Sequence, residues 1–218
     1  MTEQSQWKIT NKWKPPHGFG LPVCKNGQLG YAKSSERQRE KLASDLAKLL
    51  SAPVPTVELT TIRGEEYAVS YVGSPEDGRL SEPNDVARIY SDSEITAVRH
   101  ASGLLAFTAW IDAFDHCSGA NYIVQKHSEG TISVVAVDFE DAFKWKSGEQ
   151  AINVYSPDIL AKNFDQEAVD QLTSRIENLP RDKIIELCAQ AEMPEVAPIL
   201  LERRISLRAK LRGRGLVA

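Results

Sequence analysis

Residues 132–139 read ISVVAVDF, a run apolar enough for a strand covered on both faces, with one carboxylate, Asp138, near its end. Such a strand has to be packed from both sides. A carboxylate buried there without a partner is costly, so Asp138 needs a donor or a cation from elsewhere in the chain.

The preceding residues place a second group beside it. A short strand at 122–125 and a polar turn at 127–130 make a hairpin with 132–139. Asn121 stands just before the first strand, so antiparallel pairing brings it to the same end of the ribbon as Asp138. An amide oxygen and a carboxylate together suit a hard cation such as Mg²⁺, which also takes phosphate oxygens. Asp115, six residues before Asn121, falls on the incoming loop. There it can orient an attacking hydroxyl or accept its proton.

The first third of the chain has a different texture. LPVCKNGQLGYAK is two strand-like runs around Asn26-Gly27, a pair that tolerates positive φ and so signals a hairpin. Residues 34–50 carry Leu42, Leu46, Leu49 and Leu50 at helical spacing, and Pro53 and Pro55 end the helix. Strands follow at 57–62 and 67–72 around a turn containing Gly64. Lys33 closes the second strand and Glu40 lies early on the helix. A strand lysine steadied by a helix carboxylate can aim an ammonium at nucleotide phosphates. Gly18 and Gly20, in PHGFG, let the preceding loop approach those phosphates closely.

After the turn-rich stretch GSPEDG at 73–78 the pattern turns mostly helical. Helices are expected at 85–90, 93–114, 166–176, 181–191 and 194–211. The expected architecture is α+β with two lobes: a small β-rich lobe with one helix over 17–73, a hinge at 74–80, and a mostly helical lobe over 81–218. Residues 1–16 read as a loosely held terminus.

Composition narrows the partners. A net charge of −4 gives no electrostatic case for nucleic acid or an anionic membrane. No run approaches the roughly 20 apolar residues of a membrane span, and the N-terminus lacks the apolar core of a secretory signal. Cys24, Cys117 and Cys188 are too scattered for a disulfide framework or a cysteine zinc site, which fits a reducing cytoplasm. His116 beside Cys117 does not make a thiol nucleophile, since neighbours in sequence rarely face one another. The tail RRISLRAKLRGRG reads as an amphipathic helix with Ile205, Leu207 and Leu211 inward and its arginines solvated, so nucleic acid is not an expected partner. His100 reads as a core histidine, and the tryptophans as packing residues.

Taken together, Lys33, Glu40, Asp115, Asn121 and Asp138 occur in the order of a two-lobed protein-kinase-like fold, and the chain resembles the HipA-like kinases, particularly the small stand-alone members. LPVCKNGQLGYAK is similar to the family's phosphate-loop hairpin ending in its lysine. EKLASDLAKLLSAPVPTVEL resembles the helix and strand that follow, LLAFTAWIDAFDHCSGANYIV the helix entering the catalytic loop, and SVVAVDFEDAF the metal-binding strand. The resemblance implies an ATP- and Mg²⁺-dependent phosphotransferase acting on a protein Ser/Thr hydroxyl. It makes Lys33 the phosphate contact, Glu40 its partner, Asp115 the catalytic residue, and Asn121 and Asp138 the metal ligands. Adenine would be held near Tyr71 and Val72 through backbone groups. Three features depart from the pattern: His116 where the family commonly has Arg, an Asp115–Asn121 interval one residue longer than usual, and Glu140 where kinases often have Gly. These departures give the alternative its content: a degenerate pseudokinase that binds nucleotide or a regulatory protein.

Overall fold

A computed structural model describes residues 6–11, 20–71, 78–79, 90–117, 119–144, 152, 154 and 156–218. Strands β1 (Lys8–Ile9), β2 (Leu21–Lys25), β3 (Gln28–Lys33), β4 (Val57–Ile62) and β5 (Glu65–Tyr71) form an antiparallel sheet in the order β1-β2-β3-β5-β4. Asn26 and Gly27 both have positive φ at the β2–β3 turn, as do Arg63 and Gly64 at β4–β5. Two-residue turns of this kind match the right-handed twist of the strands they join. Of the terminus that the sequence reads as loosely held over 1–16, residues 6–11 are described, and they lie against this sheet. Lys8 and Ile9 pair with Cys24 and Val23, and Trp7 is buried against the sheet with Val23, Ile62 and Val69.

Helix α1 (Arg37–Leu50) follows β3 and turns Leu42, Leu46 and Leu50 inward. It begins without a side-chain cap, Glu36 having left-handed backbone, and ends on Ser51, whose N–H reaches the carbonyl of Lys48. Its apolar face does not close a private core. Those leucines share one cluster with Leu104, Trp110, Val169 and Leu200 of the helical part.

A second sheet, β6-β7-β8, comprises β6 (Gly78–Arg79), β7 (Tyr122–Lys126) and β8 (Ile132–Ala136). Most of the expected hinge, and all but Tyr90 of the helix expected at 85–90, lie outside the described residues. The helix expected over 93–114 is two helices. The first, α2 (Asp92–His100), starts at a reciprocal capping box between Ser91 and Glu94. A 3-10 turn over Ala101–Gly103 then leads into α3 (Leu104–Ile111), buried all round. The next layer packs closely against this break. A Cβ at Gly103 would stand 3.2 Å from the Ala168 carbonyl and from Leu172, so the next layer approaches the chain there as closely as glycine permits.

The remaining helices are α4 (Asp158–Asn163), α5 (Gln166–Glu177), α6 (Arg181–Gln190) and α7 (Val196–Arg212). Two sequence expectations fail in this part. His100 is exposed rather than in the core. On α7, Leu207 and Leu211 are buried but Ile205 is 81% exposed, and Arg203 takes an inward place. Arg203 faces the Trp110 carbonyl and pairs with Asp112 at 3.7 Å. Arg208 binds Glu177, Asp170 and Ser174, and Arg204 caps the Leu179 carbonyl. Several tail arginines are therefore fastening α7 to its neighbours rather than facing solvent together.

Candidate functional site

Side-chain alternation along β3 decides where Lys33 goes. Tyr31 and Lys33, two residues apart, share a face. Tyr31 packs there with Ile123, Val135 and Val137 of the β7–β8 hairpin and its exit. Lys33 is thus delivered to the end of the hairpin where Asp138 stands. Its Nζ contacts Asp138 directly and lies 3.5 Å from Glu40 and 3.4 Å from Glu140.

Glu40 is set by α1. In the first turn of the helix it is buried, and one carboxylate oxygen accepts the backbone N–H of Phe139 at 3.1 Å. Burial pushes its carboxyl up to about 7, against the pull of Lys33. Asp138 is also raised, first by burial, with Lys33 opposing. Burial alone would lower Lys33, but Glu40, Asp138 and Glu140 hold it above its ordinary value. One ammonium therefore faces three carboxylates, and the surplus charge is negative.

The hairpin carries the remaining groups. Tyr122 pairs with Ala136, and Val137 N–H donates to the Asn121 carbonyl at 2.9 Å, so Asn121 and Asp138 leave the ribbon at one end. Asp138 itself has left-handed backbone, φ 67°. The Asn121 amide donates to Asp115 Oδ2 at 2.6 Å. His116 Nδ1 meets the other oxygen of Asp115 at 3.1 Å. The 3-10 turns Phe114–Cys117 and Gly119–Asn121 carry Asp115 and Asn121 on this loop.

Two residues with no site role assigned from the sequence tie these groups together. The His116 ring is fully buried and stacks on Phe139, centroids 4.6 Å apart, with Tyr122 edge-on at 5.5 Å. Phe139 thus holds Glu40 through its N–H and His116 through its ring. The available signal was the aromatic directly after Asp138. Cys117 is exposed.

The other candidates are placed as follows. Gly18 and Val72 lie outside the described residues. Gly20 has φ 100°, and a Cβ there would collide with the Ala32 carbonyl, so strand pairing alone requires glycine at this position. Tyr71 donates its N–H to the Thr56 carbonyl at 3.0 Å and its hydroxyl to Glu58 at 2.6 Å. Its ring meets Trp7 edge-on at 5.1 Å, on the far face of the sheet.

Among the described residues no group of three or more His, Cys, Asp or Glu side chains is arranged to hold a metal ion. The donor set is of another kind: the Asp138 carboxylate and the Asn121 amide oxygen, brought to one end of the hairpin. Two oxygen donors beside surplus negative charge fit Mg²⁺, which takes few protein ligands and fills its sphere with phosphate and water.

No family model matches the chain, and no curated protein matches it in sequence. A solved structure does: the crystal structure of a Helicobacter pylori proinflammatory kinase, CtkA. The two chains superpose with a TM-score of 0.58 at 12% identity, over 94% of this chain and 93% of that one. The fold is kinase-like. At this identity the likeness speaks for architecture, a small sheet-bearing lobe on a mostly helical one, and function is a separate question.

Proposed function

We propose that the chain is an ATP- and Mg²⁺-dependent phosphotransferase acting on a protein Ser/Thr hydroxyl. The observation that carries this reading is the convergence of Lys33, Glu40 and Asp138 beside a locked Asp115–Asn121 pair. Lys33 would hold the nucleotide phosphates, with Glu40 fixing its position through a second bond to the Phe139 backbone. Asn121 and Asp138 would hold Mg²⁺, whose charge offsets that of the phosphate oxygens. Asp115 would orient the attacking hydroxyl and take its proton. Asn121 and His116 fix the carboxylate, and among the described residues no arginine or lysine is paired with it. The structural similarity to a kinase supports the reading at the level of fold.

A specific observation favours the second reading, a pseudokinase. Lys33 is already engaged by acidic side chains, one of them Glu140, at a position where kinases often have glycine. The partners of the first reading are ATP and a protein substrate; those of the second are a nucleotide or a regulatory protein. Among the described residues no helix is long and apolar enough to cross a membrane, and the three cysteines are unpaired, which fits the cytoplasm.

Titration calorimetry with ATP, with and without Mg²⁺, on the wild type and on Asp138→Asn, tests the site. The expected result is ATP binding that Mg²⁺ strengthens and that the substitution weakens at least tenfold in the presence of Mg²⁺, about 1.4 kcal/mol. Phosphate transfer to a generic protein substrate or to the chain itself should fall about 100- to 10,000-fold in Asp115→Ala with folding intact. Nucleotide binding with no transfer in the wild type would select the pseudokinase.

A further inference from the structure

We propose that Glu140 is an internal competitor for the phosphate-binding side of Lys33, an autoinhibitory contact that an incoming nucleotide has to displace. The inference rests on the reading of Lys33 as a phosphate-binding lysine. An ammonium has three N–H donors, and three carboxylates face this one. They are not equivalent. Glu40 is 2% exposed and pinned a second time by Phe139 N–H, while Asp138 is 14% exposed and in direct contact. Glu140 is 39% exposed. Of the three it stands on the solvent side, where a solute anion would arrive.

How Glu140 is held fits a displaceable group. Its side chain reaches Lys33 at 3.4 Å and Ser35 Oγ at 3.5 Å, both long for hydrogen bonds. Its backbone is held firmly, the carbonyl accepting from Arg39 Nη1 at 2.9 Å. The residue is therefore anchored through its main chain while its carboxylate rests lightly on the lysine. A carboxylate and a nucleotide phosphate are both anionic acceptors seeking the same N–H donors, so one excludes the other. The nucleotide therefore meets a lower apparent affinity than Lys33 alone would give it.

Glu140→Gln removes the charge, keeps the shape and leaves the Arg39 bond to the backbone. Calorimetry with metal-free ATP in chelator, and with Mg-ATP, should show the variant binding metal-free ATP about 3- to 10-fold more tightly than wild type. The gain should vanish in Lys33→Met, and Glu140→Ala should show the same gain. Unchanged or weaker metal-free binding with a binding-competent wild type overturns this inference alone. Loss confined to Mg-ATP makes Glu140 a metal ligand and also overturns it. Absence of binding in every variant brings down the phosphate site itself, and the inference with it.

Discussion

Glu40 is the residue at which the energetics of the site can be read without any ligand. Its carboxyl is raised from an ordinary 4.5 to about 7, burial being the largest cause. Between those values the folded chain binds more protons at Glu40 than the unfolded chain, so this contribution to stability falls as pH rises from 4.5 to 7 and is level above. Lys33, raised as well, adds stability that is lost only above its ordinary value of 10.5, outside this window. Urea midpoints at about pH 5 and about pH 7.5 should therefore differ more in wild type than in Glu40→Gln, whose side chain cannot ionise. Equal differences in the two proteins would mean that Glu40 titrates normally. Lys33, Glu40, Asp115, Asn121 and Asp138 were all visible in the sequence, because each sits at a recognisable end of a strand, helix or loop. His116 and Phe139 were not. His116 stood out only as the neighbour of Cys117 and as a departure from the family's Arg, and Phe139 only as the last residue of an expected strand; their stacking joins residues that only the fold brings together.

Among the elements, the exit of β8 has the sharpest local requirement. The strand was expected to run through Phe139 but ends at Ala136, and two residues later Asp138 takes up φ 67°. Alternation along a sequence locates a strand but does not show where its backbone turns left-handed, so the boundary was not legible. The same holds for the 3-10 turn at Ala101–Gly103, against which Ala168 and Leu172 pack closely. The left-handed turn gives a test free of the lost carboxylate. Asp138→Gly and Asp138→Ala both remove it, but only alanine bears a Cβ in the left-handed region, at a cost of about 1–2 kcal/mol. Asp138→Gly should be the more stable of the two by about that amount in urea unfolding. Equal midpoints would mean that the turn relaxes once the Lys33 contact is gone.

At the scale of the whole molecule, the division into two lobes is a division of sheets more than of cores. Trp7, Val23, Ile62 and Val69 form a separate cluster on one face of the first sheet. Helix α1, which the sequence assigns to the small lobe, places Leu42, Leu46 and Leu50 in the core of the large one. The amphipathic spacing of α1 showed that these leucines are buried but could not show against what. Polar links run the same way: Arg175 binds the Leu50 carbonyl, and Ala136 N–H donates to the Pro53 carbonyl. A helix shared in this manner makes the two lobes lose structure together. Leu46→Ala should destabilise the protein by about 2–5 kcal/mol, the usual range for a fully buried leucine. Trp7 and Trp110 lie in separate clusters and can report separately on unfolding, each being compared against its Trp→Phe variant. The shared helix predicts that the Trp7 and Trp110 signals shift to lower urea by the same amount in Leu46→Ala. If only the Trp110 signal moves, α1 belongs energetically to the large lobe alone. Lys33 would then ride on a sheet able to unfold without disturbing Asp115 and Asn121.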